Sequence, residues 1–207
     1  MKIVFATTNK RKIEDVLEII KENNLDVSLL TLDDILFQEE IEETGTTLQE
    51  NSFIKAKTVS DYCKKQGIPY PVIADDTGLF IDALHGEPGI YTARYADLEL
   101  KNDPSLPKYQ CIIKVLDKMK NVTNRKAVYK TIATYMSPDG NYFQEEGESY
   151  GYIAEEIVEP IKKPYFYSVF CLEGQEKTFN QMTKEELKDT YRYQTMKKVL
   201  TKATKHK

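Results

Sequence analysis

Apolar positions recur along this chain with two periods, and their order predicts an α/β domain. Residues 3–7 carry the unbroken run Ile3-Val4-Phe5-Ala6, which reads as a buried first strand. Ile13, Val16, Leu17 and Ile20 follow at the i, i+3, i+4, i+7 spacing of a helix with one apolar face, and Thr8-Asn9 stands just ahead as its cap. Residues 26–32 predict a second strand, so strand, helix and strand open the chain. The acidic stretch 38–45 reads as a solvated loop. A second helix is expected from Thr46 or Thr47, with Glu50 in its first turns and Leu48, Phe53, Ile54 and Val59 turned inward; Gly67-Ile68-Pro69 closes it. Asn51 and Lys55 lie four apart and so share one of its faces.

The pattern breaks in one place. Val72-Ile73-Ala74 and Leu79-Phe80-Ile81 are apolar runs bounded by Pro71 and Gly86, as in a buried strand or a bent strand pair, but Asp75 and Asp76 interrupt them. Adjacent carboxylates inside a buried strand are costly unless something cationic neutralises them, which marks the pair as a candidate site. Neighbouring side chains of an extended chain point to opposite faces, so one acid is expected to face a ligand and the other to serve the structure. Thr77-Gly78 beside them lets a ligand come close to the backbone. The same Asp-Asp-Thr-Gly would also serve as a surface turn between hairpin strands.

Beyond it, Gly86-Glu87-Pro88-Gly89 reads as a turn leading into 90–95, and 102–107 as a loop. Residues 109–119 predict a helix that buries Ile112, Ile113, Val115 and Leu116. The β-rich stretches 127–136 and 142–153 flank Ser137-Pro138-Asp139-Gly140, a hairpin signal. Residues 163–172 read as a last strand, whose Tyr165-Phe166-Tyr167 serves either sheet packing or the stacking of a flat ring. Thr183, with Glu186 three residues on, forms a capping box ahead of a helix leading into 191–203. The Lys-rich end reads as a frayed, solvated tail.

Composition narrows the chemistry. A length of 207 residues favours one domain with a real core, and a net charge of -4 argues against a nucleic-acid-binding surface. Cys63, Cys111 and Cys171 show no Cys-x-x-Cys spacing, and His85 and His206 are the only histidines, which leaves no zinc site of the usual kind. The first residues enter a strand without the marks of a signal peptide, and no apolar stretch is long enough to span a bilayer, so a cytoplasmic protein with reduced thiols is expected. A strand feeding a capped helix presents backbone N–H groups and the positive end of the helix dipole to an anion. Lys12, with Lys10 and Arg11 nearby, adds positive charge there.

Together these segments resemble the Ham1/ITPase family, the inosine/xanthosine triphosphate pyrophosphatases. Thr7-Thr8-Asn9-Lys10-Arg11-Lys12 is similar to its T-x-N-x-x-K opening, and Glu43-Thr44-Gly45, Glu50-Asn51 and Lys55-Ala56 to its E-T-G, E-N and K-A segments. Ala74-Asp75-Asp76-Thr77-Gly78-Leu79 and Gly89-Ile90-Tyr91-Thr92-Ala93-Arg94 resemble its A-D-D-S-G-L and P-G-I-Y-S-A-R signature. Gly147 and Gly151-Tyr152-Ile153 fall where the family carries a glycine-containing strand, so the agreement in order and spacing runs to about residue 155. The resemblance implies an elongated mixed-sheet α/β fold with flanking helices, a single domain over 1–207 with two lobes around a central cleft, and usually a homodimer. It also implies hydrolysis of non-canonical purine nucleoside triphosphates (ITP, dITP, XTP) to monophosphate and pyrophosphate with Mg²⁺, Mn²⁺ being a possible substitute, and no nucleic-acid or membrane partner. Carried over residue by residue, Glu43 and Asp76 match metal-site carboxylates, and Asp76 also the proposed base. Thr7, Thr8, Asn9, Lys12, Lys55 and Thr77 match substrate-contacting positions.

A triphosphate needs hard oxygen ligands for Mg²⁺ and lysines for its remaining oxygens, and this chain supplies both. Its last third departs from the family. Lys163-Pro164-Tyr165-Phe166-Tyr167-Ser168-Val169 stands where Ham1 proteins carry G-F-G-Y-D-P, and Leu187 with Tyr191-Arg192-Tyr193 where they carry a lysine and S-H-R. Those pieces hold the base in the family, so their replacement opens two alternatives: the same chemistry on another base, or a non-catalytic nucleotide-binding paralogue. Tyr165, Phe166 or Tyr167 is expected to stack on a base and Arg192 to reach a base or phosphate oxygen if the function is kept.

Overall fold

The structure is a computed structural model that describes residues 1–96, 109–162 and 164–205; the predicted loop 102–107, Lys163 and His206 lie outside them. In chain order the elements are β1 (Lys2–Phe5), α1 (Lys10–Glu22), β2 (Ser28–Leu30), α2 (Leu48–Lys65), β3 (Val72–Ile81) and β4 (Pro88–Gly89). There follow α3 (Gln110–Lys118), β5 (Lys126–Met136), β6 (Tyr142–Ile153), β7 (Phe170–Leu172), α4 (Lys184–Leu187) and α5 (Tyr191–Ala203). The hydrogen-bonded strand order is β2-β1-β3-β5-β6-β7, with β4 paired on β3. Parallel and antiparallel pairs both occur, so this is the expected mixed-sheet α/β class. Two compact units divide the chain: Met1–Asp76, Thr131–Gly147 and Arg192–Lys207 form one, Thr77–Lys130 and Glu148–Tyr191 the other.

In the first unit β1 is apolar and buried from Ile3 to Phe5 because helices cover both faces there. It pairs in parallel with β2 and with the start of β3, Val4 opposite Val72 and Phe5 opposite Ile73. Ile3, Phe5 and Ile73 pack with Val16 and Ile19 of α1 and with Val199 of α5. Val4, Val72 and Ala74, on the alternate positions, pack instead with Ala56, Val59 and Cys63 of α2. The second predicted strand shrinks to three residues, Ser28–Leu30.

The second unit has its own core, in which Leu79, Ile81, Ile112 and Val115 meet an aromatic group. Tyr129 stacks on Tyr191 with centroids 5.0 Å apart and planes 3° from parallel, and Phe170, Phe179 and Tyr167 close around the pair. The predicted last strand over 163–172 is corrected here. Tyr165–Ser168 forms a 3-10 turn, because Ser168 Oγ donates to Tyr165 O at 2.7 Å and Tyr167 N to Pro164 O at 3.0 Å. Only Phe170–Leu172 pairs as a strand, antiparallel to β6 with Gly151 opposite Leu172. The packing reading is met at two of these residues: Phe166 is buried, and Tyr167 has its ring edge-on to Tyr129 and its hydroxyl 2.9 Å from that of Tyr191. The hairpin at Ser137–Gly140 forms as predicted, with Gly140 N donating to Ser137 O. The capping box at Thr183 also forms, but its helix ends at Leu187 and α5 starts separately.

Candidate active site

Extended chain puts the two acids of β3 on opposite faces, and each finds a lysine from a different helix. The surface-turn alternative is thereby excluded, since both are buried within one continuous strand. Asp75 Oδ2 accepts a hydrogen bond from Lys12 Nζ of α1 at 2.7 Å and lies 3.5 Å from Arg192 Nε of α5. Asp76 Oδ1 accepts from Lys55 Nζ of α2 at 2.7 Å, and the same ammonium lies 3.6 Å from Glu43 Oε1. All six residues belong to the first unit.

Local capping delivers both lysines. Asn9 Oδ1 accepts from the backbone N–H groups of Arg11 at 3.1 Å and Lys12 at 3.3 Å, starting α1 so that Lys12 falls in its first turn. Thr7 Oγ1 in turn accepts from Asn9 N at 3.2 Å. Two of the N–H groups expected to face an anion are therefore taken by Asn9, and Thr8, Lys10 and Arg11 are exposed. Thr47 caps α2: its Oγ1 accepts from Glu50 N at 3.1 Å, while Glu50 Oε2 accepts from Thr46 N at 2.6 Å and Thr47 N at 3.2 Å. The buried face of α2 includes Leu48 and Val59 as predicted, but Phe53 and Ile54 are only half-buried, whereas Asn51 and Ser52 are wholly enclosed, with Ser52 Oγ donating to Ala74 O at 3.3 Å beside the acids.

The two acids are electrostatically unlike. Burial by itself raises the Asp75 carboxyl, but Lys12 and then Arg192 outweigh it and hold the group well below the usual carboxylate range. Asp76 stands above that range, because its burial outweighs the attraction of Lys55 and the neighbouring Glu43 adds to the rise. Burial likewise leaves the Lys12 ammonium below its ordinary value despite Asp75, while in Lys55 burial is outweighed by Asp76 and Asp75 and the ammonium is held above. Asp75 is thus a fixed anion clamped between cations. Asp76 keeps Oδ2 buried with no partner among the described residues.

Among the described residues no three His, Cys, Asp or Glu side chains form a metal-holding group. Glu43 and Asp76 form a pair instead, two hard-oxygen donors that already face one cation. Such a pair suits an ion that retains water and takes phosphate oxygens as its other ligands.

The sequence profile of the Ham1 family matches residues 3–202. The chain belongs to the Ham1 family. A relative named dITP/XTP pyrophosphatase from Bacillus subtilis is 36% identical over 202 residues, covering 95% of this chain and 93% of its own. One of the same name from Clostridium perfringens is 35% identical over 189 residues, covering 89% and 88%. The solved Ham1 protein of Staphylococcus aureus superposes with a TM-score of 0.81 at 28% identity over 100% of both chains. The match extends through the last third, so the divergent segments there lie inside the Ham1 span.

Of the residues carried over from Ham1 motifs, the structure gathers Glu43, Lys55, Asp76 and, through Asp75, Lys12. Thr7 and Asn9 act locally at the start of α1, and Thr77 is half-buried directly after Asp76 on β3. Arg192, expected at a base or phosphate oxygen, is buried, with its guanidinium 2.6 Å from Asp15 Oδ2 and its Nε 3.5 Å from Asp75 Oδ2. No local signal marks Asp15; Gly45 stands in the Glu43-Thr44-Gly45 motif, but nothing in the sequence shows that its N–H donates to Asn51 Oδ1, at 2.9 Å. No helix among the described residues is long and apolar enough to cross a membrane.

Proposed function

We propose that this Ham1 protein hydrolyses non-canonical purine nucleoside triphosphates, dITP, ITP and XTP, to the monophosphate and pyrophosphate. The observation that carries the reading is the convergence of Glu43 and Asp76, from two separate segments, on one cationic point at Lys55. Relatives that match nearly the whole chain bear the name dITP/XTP pyrophosphatase, which supplies the substrate class. Glu43 Oε1 and Asp76 Oδ1 are the oxygens placed to hold a divalent ion, which we assign as Mg²⁺. When bound, the ion neutralises the triphosphate and polarises the phosphorus under attack.

Lys55 and Lys12 bind phosphate oxygens, and Asp75 orients Lys12 for that task. Asp76 Oδ2, the carboxylate oxygen not engaged by Lys55, accepts a proton from the attacking water. The water oxygen bonds to the α-phosphorus, the bond from that phosphorus to the α–β bridging oxygen breaks, and its electron pair leaves with pyrophosphate. The resemblance to a family of homodimers extends the proposal to a two-chain assembly, which light scattering checks.

A second reading keeps the chemistry but changes the base. It is favoured by the burial of Phe166 and by the commitment of Arg192 to Asp75 and Asp15. Purified full-length protein, offered a panel of triphosphates at equal concentration with and without Mg²⁺, tests both. Pyrophosphate from dITP and XTP ahead of the ordinary nucleotides is expected. Orthophosphate as the product refutes the chemistry, and preference for another base establishes the second reading.

A further inference from the structure

We propose that Asn51 is a positioning residue for Glu43, acting through the backbone of Gly45. The inference rests on Glu43 and Asp76 as the ion-holding pair. Glu43 comes from irregular chain, so its reach toward Lys55 depends on where that chain is tied down. Three successive backbone N–H groups tie it: Gly45 donates to Asn51 Oδ1 at 2.9 Å, and Thr46 and Thr47 donate to Glu50 Oε2. The Glu50 contacts are an exposed helix cap of the ordinary kind. The Asn51 contact is different.

Asn51 is completely buried. A backbone N–H can be met only by the amide oxygen, which fixes the orientation of the group and leaves Nδ2 buried with no partner among the described residues. An unmet buried donor costs roughly 1–3 kcal/mol, so an apolar side chain of similar volume would serve the fold better. What asparagine supplies and leucine cannot is an acceptor for Gly45. The grip closes only on glycine, since a Cβ at residue 45 would lie 2.6 Å from Asn51 Oδ1 and 2.6 Å from Glu50 Cβ. Asn51 also sits one helical turn before Lys55 on the same face of α2. A single rigid helix therefore sets the ammonium directly and the Glu43 carboxylate through Gly45, and the spacing of the two becomes a property of α2.

The test is Mn²⁺ binding to the full-length protein without nucleotide, followed by electron paramagnetic resonance, for wild type, Glu43→Gln, Asn51→Leu, Gly45→Ala and the Asn51→Leu/Gly45→Ala double variant. Groups that hold a metal ligand in place change affinity by about 10–100-fold, so each single variant at 45 and 51 is expected to bind Mn²⁺ about tenfold more weakly. Because both act through one hydrogen bond, the double variant is expected within about twofold of the weaker single. Losses that multiply in the double variant, or Asn51→Leu within about twofold of wild type, overturn the proposal. Should Asn51→Leu not fold, unchanged affinity in Gly45→Ala overturns it alone. Wild type that binds no Mn²⁺, or Glu43→Gln that binds as wild type does, removes the ion site itself and this inference with it.

Discussion

Replacing Asp75 and Asp76 in turn by asparagine separates the structural acid from the chemical one. The Asp75 side chain is wholly buried, and its partners Lys12 and Arg192 are 23% and 10% exposed, so Asp75→Asn leaves two largely enclosed cations facing a neutral amide. Removing one partner of a buried ion pair costs about 3–5 kcal/mol, and the lower end applies here. Lys12, already below its ordinary value through burial, can shed its proton, and Arg192 retains Asp15 at 2.6 Å. At about 2–4 °C per kcal/mol for a chain of this size, a loss of about 3 kcal/mol lowers the thermal midpoint by about 6–12 °C. Asp76→Asn differs. Glu43 Oε1 still lies 3.6 Å from the Lys55 ammonium in that variant, so the midpoint is expected to fall less than in Asp75→Asn, while pyrophosphate release falls at least about 100-fold. Circular dichroism melts at pH 7.5 and a coupled pyrophosphate assay read both quantities. Equal midpoint losses in the two variants, or Asp75→Asn melting within about 2 °C of wild type, refute this division of roles.

The Asp75 pair also sets a pH dependence. Its folded value lies below the unfolded value of about 3.9, so its contribution is complete above that pH and fades as pH falls toward the folded value. Urea midpoints of wild type and Asp75→Asn should differ at pH 7 and converge below about pH 4; a constant gap contradicts the assignment. Lys55→Met removes the cation shared by Glu43 and Asp76, so 10 mM Mg²⁺ should raise the thermal midpoint of this variant more than that of wild type, and a smaller rise counts against the carboxylate pair as the ion site. Gly151→Ala would drive a Cβ into Cys171 O and to 2.7 Å from Phe170 Cζ, which should cost about 1–3 kcal/mol or more in the β6–β7 pairing; an unchanged melt argues against that register.

Much of this fold is legible in the chain because its elements obey simple periods. β1 and the start of β3 read as unbroken apolar runs since both of their faces are covered, and α1 reads from Ile13, Val16 and Ile20. The paired acids of β3 stand out for the same reason: nothing apolar explains them. What misleads is local chemistry that overrides propensity. Tyr165-Phe166-Tyr167 has strand composition, yet Ser168 bonding back to Tyr165 O winds it into a turn. What stays hidden is pairing across long separations. Arg192 meets Asp15 across 177 residues, and no spacing rule connects them. The tie from Gly45 to Asn51 spans only six residues, but it depends on how the intervening cap folds.

The aromatic stack of the second unit also has a spectroscopic consequence. The chain contains no tryptophan and 14 tyrosines, so its ultraviolet emission is phenolic and its near-ultraviolet dichroism arises from ring asymmetry. Tyr129 and Tyr191, held 3° from parallel beneath Phe179, form a rigid chiral chromophore confined to that unit. A tryptophan placed on α1 would light the first unit alone, and melting curves at the two wavelengths would reveal whether the halves come apart together or in sequence.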